Sequence, residues 1–322
     1  MTQLESILKQ FAGRRALITG GAGFIGSHLA GRLLDAGAEV RIVDDLSTGL
    51  RANLPQGAEF REASVTGLDD MRDAAEGCGY IFHEAAMVSV PESVERPGAC
   101  LAANVTGTHN ILEAARAAGV KRVIFAASAA AYGNNPALPS REDHPPDCYS
   151  PYAFSKVASE QMLAAYARCY GVSTVSLRYF NIFGPRQNPD SPYAAVISAF
   201  LRAIGHGRDP AVHGDGQQTR DFTHVDNVVY ANLLAAACAQ PLAGEIFNIG
   251  TGARISLLDV LGAMSRALGV RITPQFTEPR PGDVRDSQAD ITRARDILGY
   301  EPIMDFEEGM AQMLAETPSP GG

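Results

Sequence analysis

The chain has 322 residues, and its 27 Lys and Arg stand against 36 Asp and Glu, for a formal net charge of -9. Hydrophobic residues make up 46% and charged residues 20%, which are proportions of a folded chain and exclude disorder and fibrous repeats. Because so acidic a surface repels phosphate backbones and anionic lipid, neither nucleic acid nor a membrane is expected as a partner.

The cysteines and the first residues indicate the compartment. Five cysteines, widely spaced and without a Cys-x-x-Cys pair, favour neither a disulfide framework nor a zinc site, so we expect no metal. No apolar run reaches the ~18 residues of a membrane helix, and charged side chains interrupt residues 1–11, which is unlike a signal peptide. We therefore expect a cytoplasmic protein with reduced cysteines.

Short apolar runs alternate with longer amphipathic runs over residues 15–178. The apolar runs predict buried strands, and the amphipathic runs predict helices. In chain order, strands are predicted at 16–19, 40–43, 80–82, 123–126 and 175–177, and helices at 24–36, 100–118 and 152–170. This alternation predicts an α/β fold, a doubly wound parallel sheet of the Rossmann type.

After residue 181 the pattern changes. Prolines and a Gly/Asp/Gln-rich stretch at 214–218 separate shorter predicted elements: helices at 193–206, 227–239, 257–268 and 292–298, and a strand at 246–249. A smaller, loop-rich α/β domain is therefore predicted at 181–316, after a first domain at 12–180 on which residues 223–250 pack back. Residues 317–322 have nothing to bury and are predicted to form a flexible tail.

A glycine-rich turn follows the first predicted strand and opens the first predicted helix. Gly20, Gly21, Gly23 and Gly26 satisfy both G-x-x-G-x-x-G and G-x-G-x-x-G. Glycine lets the backbone approach a pyrophosphate, and the positive end of the helix favours the phosphate charge. The sequence therefore predicts a dinucleotide site, with a purely structural turn as the weaker alternative.

The residue that ends the second predicted strand selects the dinucleotide. Asp44 follows Gly26 by 18 residues, where a carboxylate accepts hydrogen bonds from the adenosine ribose hydroxyls. Because Asp44 would repel a 2′-phosphate, NAD is predicted as the cofactor rather than NADP. Arg51 is a rival that could bind a phosphate, but Asp44 has the nearer position.

Tyr152 and Lys156 are one helical turn apart on one face of a predicted helix. A free tyrosine has a pKa of about 10, and a nearby ammonium and the positive nicotinamide both favour the phenolate and lower that pKa. The phenolate is then able to take a proton from a sugar hydroxyl while hydride leaves the same carbon. Ser128 ends a predicted strand, at the sheet edge where ligands bind, and is placed to hold that hydroxyl.

Segments 19–26, 128–133 and 152–156 together resemble the extended short-chain dehydrogenase/reductase family. Segments 83–91, 178–189, 214–222 and 281–290 resemble UDP-hexose 4-epimerases, and the likeness is greatest to bacterial enzymes that act on UDP-N-acetylglucosamine. The resemblance covers nearly the whole chain. It implies an isomerase of nucleotide-sugar metabolism that uses NAD and takes a UDP-sugar as its substrate.

The resemblance also implies roles for individual residues. Tyr152 removes the O4 proton while hydride passes from C4 to NAD, Lys156 lowers the tyrosine pKa and holds the nicotinamide ribose, and Ser128 bonds O4. Cofactor-binding positions are implied at Gly20, Gly23, Phe24, Ile25, Gly26, Asp44, Ser64, Val65, Ala85, Asn104, Tyr152, Lys156 and Phe180. Substrate-binding positions are implied at Ser89, Ser128, Asn181, Gln187, Tyr193, Arg220, Arg285 and Ser287, with the two arginines on the diphosphate.

Positions near the sugar exclude some relatives and indicate a substrate. Ala129 and Ala130 stand where sugar 4,6-dehydratases have acidic residues, so dehydration is not expected. Ser287 stands at the family's gatekeeper position, and its small size leaves room for an N-acetyl group. Ser89 and Gln187 match positions that reach polar sugar groups in enzymes that prefer N-acetylated sugars. We therefore expect UDP-GlcNAc and UDP-GalNAc as substrates, with UDP-Glc and UDP-Gal as the alternative.

Some features leave other interpretations open. Ser64 replaces an aspartate that bonds the adenine amino group in the family, which predicts looser retention of NAD. A UDP-uronate epimerase or decarboxylase would share the cofactor site, whereas a non-catalytic dinucleotide-sensing module would not need the Ser-Tyr-Lys set. The histidines show no ligand spacing and are interpreted as structural or exposed, with His213 beside the uracil as the alternative. The alanine-rich helices predicted at 100–118 and 152–170 resemble the family's dimer interface, so a homodimer is expected.

Overall fold

The computed structural model describes residues 3–187, 196–279 and 284–316. Within these ranges the strands are β1 Arg15–Thr19, β2 Glu39–Asp44, β3 Glu59–Glu62, β4 Tyr80–His83, β5 Arg122–Ser128, β6 Thr174–Tyr179, β7 Asn181–Phe183, β8 Ala211–His213, β9 Thr219–Arg220, β10 Phe222–His224, β11 Ala243–Ile249, β12 Ile255–Ser256 and β13 Gln275–Thr277. The helices are α1 Gln3–Leu8, α2 Phe24–Asp35, α3 Leu68–Ala75, α4 Val90–Glu95, α5 Pro97–Leu101, α6 Gly107–Ala118, α7 Pro151–Tyr170, α8 Val196–Gly205, α9 Val225–Ala237, α10 Leu257–Leu268, α11 Thr292–Leu298 and α12 Phe306–Glu316. Short 3₁₀ turns at Arg51–Asn53 and Ala129–Tyr132 and a π-helical turn at Ala102–Thr106 complete these elements.

A seven-stranded sheet forms the centre of the molecule, in the order β11-β6-β5-β4-β1-β2-β3. Every neighbouring pair in it is parallel, which requires crossover helices that cover both faces. One face buries Ile18, Phe82 and Phe247 against α2 and α9, and the other buries Leu17 and Ile81 against α3 and α6. The prediction of a doubly wound parallel α/β sheet is confirmed.

Several elements differ from the prediction. The helix predicted at 100–118 is one helical run made of α5, the π-helical turn and α6. Strand β3 was not predicted, because it lies at the sheet edge and its four residues are all exposed or half-buried, which leaves no apolar run. Helices α1, α3, α4 and α12 were also not predicted. The helix predicted at 193–206 corresponds to α8, and its first three residues lie outside the described residues.

The C-terminal part consists of short elements. Strands β7 and β10, β8 and β13, and β9 and β12 form two-stranded pairs. Around them, α8, α10 and α12 bury Phe183, Phe222 and Met264. Helix α9 and strand β11 return to the large sheet, where β11 pairs with β6. The division into two domains stays a prediction, and the tail predicted at 317–322 lies outside the described residues.

Asp221 joins several C-terminal segments to the edge of the large sheet. Its carboxylate is fully buried and accepts the backbone N–H groups of Thr251, Gly252 and Ala289 at 2.8, 2.9 and 3.1 Å. It also accepts the hydroxyls of Thr251 at 2.8 Å and Thr223 at 3.3 Å. Five donors on one carboxylate compensate for its loss of solvent and fix these segments relative to one another.

The long helix α7 has well-defined ends, which fix the residues on its first turn. Ser150 accepts the N–H of Ala153 at 3.1 Å as an N-cap, and Pro151 occupies the first helical position. Gly171 ends the helix in the left-handed region with φ +71°. Tyr152 is therefore held at the start of a capped helix.

Three observations concern only the described part of the chain. None of its helices is both long and apolar enough to cross a membrane. No three of its His, Cys, Asp and Glu residues form a group suited to a metal ion. All five cysteines lie in this part and are free thiols.

Candidate cofactor and catalytic site

The turn between β1 and α2 lies against the loop that follows β4. Gly20 has a φ of +71°, and a Cβ atom there would lie 2.7 Å from the backbone nitrogen of Ala85. At Gly26 a Cβ atom would lie 2.3 Å from the carbonyl oxygen of Gly20, so this turn requires glycine. Gly23 precedes α2 and has no side chain to cap its first N–H groups, which are therefore suited to bind a phosphate.

Asp44 ends β2 and is 8% exposed. Its carboxylate accepts the N–H groups of Ala22 at 3.0 Å and Leu46 at 2.8 Å. Burial raises the pKa of Asp44, and these two hydrogen bonds oppose that shift. Each carboxylate oxygen has two lone pairs, so both can also accept a ribose hydroxyl.

The residues around Asp44 bear on the choice of cofactor. Arg51 forms an ion pair with Glu62 and lies 5.4 Å from the centre of the Phe60 ring, so its charge is already balanced. Ser64 is half-buried, and its hydroxyl accepts a hydrogen bond from the Thr66 hydroxyl at 3.1 Å. Serine at this position therefore has a local partner within its own loop.

Asn104 holds the loop that follows β4. Its side chain is 2% exposed, accepts the N–H of Met87 at 2.8 Å and donates to the carbonyl of Met87 at 3.0 Å and to Ser155 Oγ at 2.9 Å. In the same loop, the N–H of Ala85 donates to Thr19 Oγ1 at 3.3 Å. The amide of Asn104 thus shapes the loop through these bonds and ties it to α7.

The remaining predicted cofactor positions lie along the same edge of the sheet. Phe24 and Ile25 are the half-buried first residues of α2. Val65 is buried in the core beside α6. Phe180 follows β6, is 7% exposed, and has its ring 6.2 Å from that of Tyr132.

Ser128, Tyr152 and Lys156 lie together at the carboxyl end of β5. Ser128 is the last residue of that strand; its hydroxyl accepts the N–H of Ala130 at 3.1 Å and lies close enough to Tyr152 to lower the pKa of that phenol. Lys156 is 3% exposed, and its Nζ donates to the carbonyl of Ala126 at 2.6 Å. The ammonium lies 5.9 Å from the centre of the Tyr152 ring and 4.9 Å from that of Phe125.

The titration of this set differs from what the sequence predicts. Burial raises the pKa of Tyr152, and the hydrogen bond from Ser128 opposes that shift only in part. Burial lowers the pKa of Lys156 to about 8. The predicted lowering of the tyrosine pKa is therefore not produced by the described protein groups, because the loss of solvent outweighs their attraction for the phenolate.

Four of the predicted substrate residues lie close together, where β7, β9 and β10 meet. Asn181 begins β7, which pairs with β10. Arg220 donates to the carbonyl of Arg285 at 3.2 Å, and the N–H of Ser287 donates to the carbonyl of Thr219 at 3.1 Å. The fold thus brings both arginines next to the predicted gatekeeper.

Ser89 and Gln187 have local hydrogen bonds. The Ser89 hydroxyl accepts the N–H of Glu92 at 3.1 Å and caps α4. The Gln187 side chain donates to the carbonyl of Ile182 at 3.1 Å and accepts the Ser198 hydroxyl at 3.0 Å. Both side chains would have to share or exchange these partners to contact a sugar.

A cavity of about 670 Å³ opens beside Arg285. His213, Asp215, Phe276 and Arg285 are among its lining residues, so it offers an aromatic ring and an arginine to a ligand. Its volume is within the range of small-molecule sites. The predicted substrate residue Tyr193 lies outside the described residues.

Glu84 is a residue of this edge that the sequence analysis missed. It directly follows β4, and its carboxylate accepts the Tyr179 hydroxyl at 2.9 Å. Burial raises the pKa of Glu84 to about 7. Its position one residue after a parallel strand is a signal that could have identified it, because ligands bind at that edge.

The sequence pattern of the NAD dependent epimerase/dehydratase family matches residues 16–250, which include the glycine turn, Asp44, Ser128, Tyr152 and Lys156. The chain belongs to this family. The predictions of NAD as cofactor and of an enzyme are confirmed. The glycine turn, the first N–H groups of α2 and the Asp44 carboxylate fit the pyrophosphate and ribose of NAD.

Known members of the family resemble the chain over nearly its whole length. A UDP-glucose 4-epimerase of Mycolicibacterium smegmatis is 41% identical over 307 residues, 93% of this chain and 97% of the relative. A UDP-N-acetyl-alpha-D-glucosaminuronate decarboxylase of Bacillus cytotoxicus is 34% identical over 319 residues, 94% of this chain and 97% of the relative. Among solved structures, a UDP-N-acetylglucosamine 4-epimerase of Methanobrevibacter ruminantium in complex with UDP-N-acetylmuramic acid has a TM-score of 0.90 and 35% identity, over 95% of this chain and 98% of that one.

Proposed function

We propose that this protein interconverts the C4 epimers of a UDP-hexose through a 4-keto intermediate, with NAD as its cofactor. The observation that carries the proposal is the grouping of Ser128, Tyr152 and Lys156 at the edge that also holds the glycine turn. A non-catalytic dinucleotide sensor would not need a serine and a tyrosine together beside a buried ammonium. The 4-epimerases among its relatives support the same conclusion.

The roles of the residues follow from this arrangement. The glycine turn, the N-terminus of α2 and Asp44 would hold NAD, which would supply reversible hydride transfer at C4 of the sugar. Tyr152 takes the proton from O4, and Ser128, which lies beside Tyr152, orients that hydroxyl. The Lys156 ammonium, held by the Ala126 carbonyl 5.9 Å from the centre of the Tyr152 ring, would favour the phenolate electrostatically.

The diphosphate of the substrate is assigned to Arg220 and Arg285. Guanidinium groups bind phosphate oxygens by two hydrogen bonds and stay charged at every physiological pH. The Arg220 guanidinium donates to the backbone carbonyl of Arg285, and Arg285 lines the cavity that would take the nucleoside. Binding energy from this remote part of the substrate would position C4 at Tyr152.

For the sugar, we propose the N-acetylated pair UDP-GlcNAc and UDP-GalNAc, with UDP-Glc and UDP-Gal as poorer substrates. Ser287 is a small, half-buried residue next to Arg285, which leaves room for an acetyl group. Space for an acetyl group does not by itself exclude a plain hexose. The site discriminates against that sugar only if its binding leaves a polar group of the protein without a hydrogen-bond partner. The acetamide therefore needs a partner, for which Ser89 and Gln187 are the nominated side chains.

The test is an equilibrium assay by NMR at the anomeric proton, without added cofactor. UDP-GlcNAc, UDP-Glc and a UDP-uronate are incubated separately with purified protein. We expect the 4-epimer of UDP-GlcNAc to form fastest. Conversion of the uronate alone, or release of CO₂ from it, would overturn the proposal in favour of a uronate enzyme. A requirement for added NAD would show that Ser64 loosens the cofactor.

Tyr152→Phe separates catalysis from folding. The variant should fold and bind NAD but lose about 10²–10⁴-fold in turnover, because it has no ionisable hydroxyl. Tyr170→Phe is a matched control on the same helix, since Tyr170 is 55% exposed at the far end of α7. Full activity in Tyr152→Phe would refute the assignment of the base.

We further propose that two copies associate through the face formed by α4, α5, the π-helical turn, α6 and α7. Five large apolar side chains of these helices are exposed: Val90 (42%), Val94 (61%), Leu101 (37%), Phe154 (55%) and Tyr170 (55%). An apolar face of this kind is typical of an interface. Light scattering should give the mass of a dimer, and Phe154→Glu should shift it to the monomer; a monomeric wild-type protein would refute this.

The free cysteines are in keeping with the cytoplasmic location that we propose.

A further inference from the structure

A hydrogen-bonded chain crosses the carboxyl edge of the sheet from α9 to β4. Asn232 of α9 donates to the Tyr179 hydroxyl at 2.7 Å, and that hydroxyl donates to Glu84 at 2.9 Å. Asn232 and Tyr179 are 0% and 7% exposed. Since β5 lies between β4 and β6, the Tyr179–Glu84 bond passes over the end of the strand that carries Ser128.

The same edge carries the ammonium of Lys156. His83, the residue before Glu84, is paired in register with Phe125, so Glu84 lies opposite Ala126 at the end of the β4–β5 ladder. The Ala126 carbonyl accepts Lys156 Nζ at 2.6 Å. Glu84 is thus placed at the same strand end as the carbonyl that holds the Lys156 ammonium.

The two groups stabilise each other's charged form. Attraction to Lys156 and the hydrogen bond from Tyr179 oppose the effect of burial, which raises the pKa of Glu84 to about 7. Glu84 is in turn the strongest group that opposes the lowering of the Lys156 pKa to about 8. Between these values, the carboxylate and the ammonium are both charged.

The other titratable groups around Lys156 are either held in an ion pair or kept neutral by burial. Glu160 is paired with Arg178 at 2.7 Å, both sides of the pair being almost fully buried. Burial holds His83 neutral, with a pKa of about 3. Burial also raises the pKa values of Tyr152, Tyr179 and Cys100. Glu84 is therefore the group whose ionisation follows the pH beside Lys156.

We propose that Glu84, held by Tyr179 and Asn232, is a positioning residue that keeps Lys156 in its ammonium form at the alkaline end of the working range. The proposal rests on the proposed function in that Lys156 acts on Tyr152. Glutamine has nearly the shape of protonated glutamate but never becomes negative. Glu84→Gln should therefore resemble the wild type at acidic pH and differ from it at alkaline pH.

The composition of the chain allows a direct measurement. It has three lysines, Lys9, Lys121 and Lys156. In a background with Lys9→Arg and Lys121→Arg, Lys156 is the single lysine, and ¹³Cε labelling gives one signal whose shift reports its pKa. The titration is performed on purified protein saturated with NAD, and it needs no substrate.

We expect the Lys156 pKa to fall by about one unit in Glu84→Gln, because the neighbouring negative charge is lost. Glu142→Gln is the matched control: Glu142 is also half-buried, with a pKa raised by burial, and accepts one N–H, from Asn248 at 2.8 Å. It should leave the Lys156 titration unchanged. An unchanged Lys156 pKa in Glu84→Gln, or an equal shift in Glu142→Gln, would overturn the proposal.

Turnover provides the second readout. A one-unit fall in the Lys156 pKa reduces the ammonium fraction about threefold at pH 7.5 and about eightfold at pH 8.5. The kcat of Glu84→Gln should fall by these factors while it stays within about twofold of the wild type at pH 6. A uniform loss at every pH would indicate a structural role and contradict the proposal.

Tyr179→Phe keeps the proposal testable if Glu84→Gln does not fold. Loss of the hydrogen bond raises the pKa of Glu84, so less carboxylate is present between pH 7 and 8. The Lys156 pKa should then fall, by less than in Glu84→Gln, and no shift would count against the proposal. Because the lysine titration uses no UDP-sugar, a failure here is separate from a failure of the epimerase assay.

Discussion

The guanidinium of Arg285 is held by the carboxylate of Asp215 through two hydrogen bonds, of 2.9 and 3.0 Å. Both side chains are more than half exposed, at 59% and 57%, and both line the cavity beside β8 and β13. An arginine assigned to a diphosphate thus already has an anionic partner. A ligand phosphate must replace Asp215 or share the guanidinium with it.

Arg285→Ala should weaken UDP binding by about tenfold to a hundredfold, the size of a lost charge-assisted hydrogen bond. Asp215→Asn should strengthen binding by no more than about fivefold, because water and salt screen an ion pair whose two side chains are this exposed. Calorimetric titration with UDP measures both. Arg266→Ala is the control, since Arg266 is an exposed arginine paired with Glu307 outside this cavity. Unchanged UDP affinity in Arg285→Ala would remove Arg285 from the site.

Two glycines of α2 should respond oppositely to alanine. At Gly26 the added Cβ would lie 2.3 Å from the Gly20 carbonyl, so the turn must move, at a cost of about 1–3 kcal/mol. Bound NAD should be lost as well. At Gly31 nothing lies within 4 Å of the added Cβ, and alanine should stabilise the helix by about 0.5–1 kcal/mol. Urea denaturation and the NAD content of the purified variants test this; similar behaviour of the two variants would contradict it.

His83 should make stability depend on pH. Its ring is 1% exposed between the hydroxyls of Thr19 at 2.7 Å and Thr108 at 3.1 Å, and burial lowers its pKa to about 3. A folded-state pKa below the unfolded value of about 6.5 means that stability is fully present above pH 6.5 and is lost as the pH falls toward 3.

From pH 7 to pH 5 the contribution of His83 to the free energy of unfolding should fall by about 2 kcal/mol. His83→Gln should flatten the pH dependence by that amount, whatever its effect at pH 7. His206→Gln, which changes an exposed histidine, should leave the dependence unaltered. Urea denaturation at pH 7 and at pH 5 measures the free energy of unfolding of each variant. If that free energy changes equally with pH in the wild type and in His83→Gln, His83 is protonated in the folded protein.

The ion pair between Arg178 and Glu160 should be costly to break from one side. The two side chains are 2% and 0% exposed, joined by hydrogen bonds of 2.8 and 2.7 Å. Arg178→Met leaves a buried carboxylate without its partner and should cost about 3–5 kcal/mol. The double variant with Glu160→Leu should recover most of that loss. Additive losses in denaturation experiments would mean that the two residues act independently.

The central sheet could be predicted because its strands are buried on both faces. Strands β1, β2, β4, β5 and β6 are buried along almost their whole length, and each contains apolar residues that the sequence pattern detects. Strand β3 was not predicted, because a strand pairs at a sheet edge through its backbone groups alone and needs no apolar run. The π-helical turn within the run from Pro97 to Ala118 was also not predicted, since its sequence is compatible with an ordinary helix.

The sequence analysis named the residues of the candidate site but not their hydrogen-bond partners. The glycine turn, Asp44, Ser128, Tyr152 and Lys156 are identified by their spacing and their place at strand and helix ends. The partners of Ser89, Gln187 and Arg285 come from distant segments or from side-chain rotamers, which spacing does not encode. The pKa of Tyr152 depends on burial by the whole fold, so its direction could not be read from the sequence.

Asp221 has a consequence for exchanging parts between related enzymes. Its carboxylate binds the backbone of residues 251–252 and of Ala289 at the same point. Ala289 is two residues from Ser287. A graft that replaces residues 284–289 to change the sugar would inherit its backbone alignment from Asp221 and the 251–252 loop. Chimaeras should therefore function when these segments come from one parent, and lose sugar selectivity when they come from two.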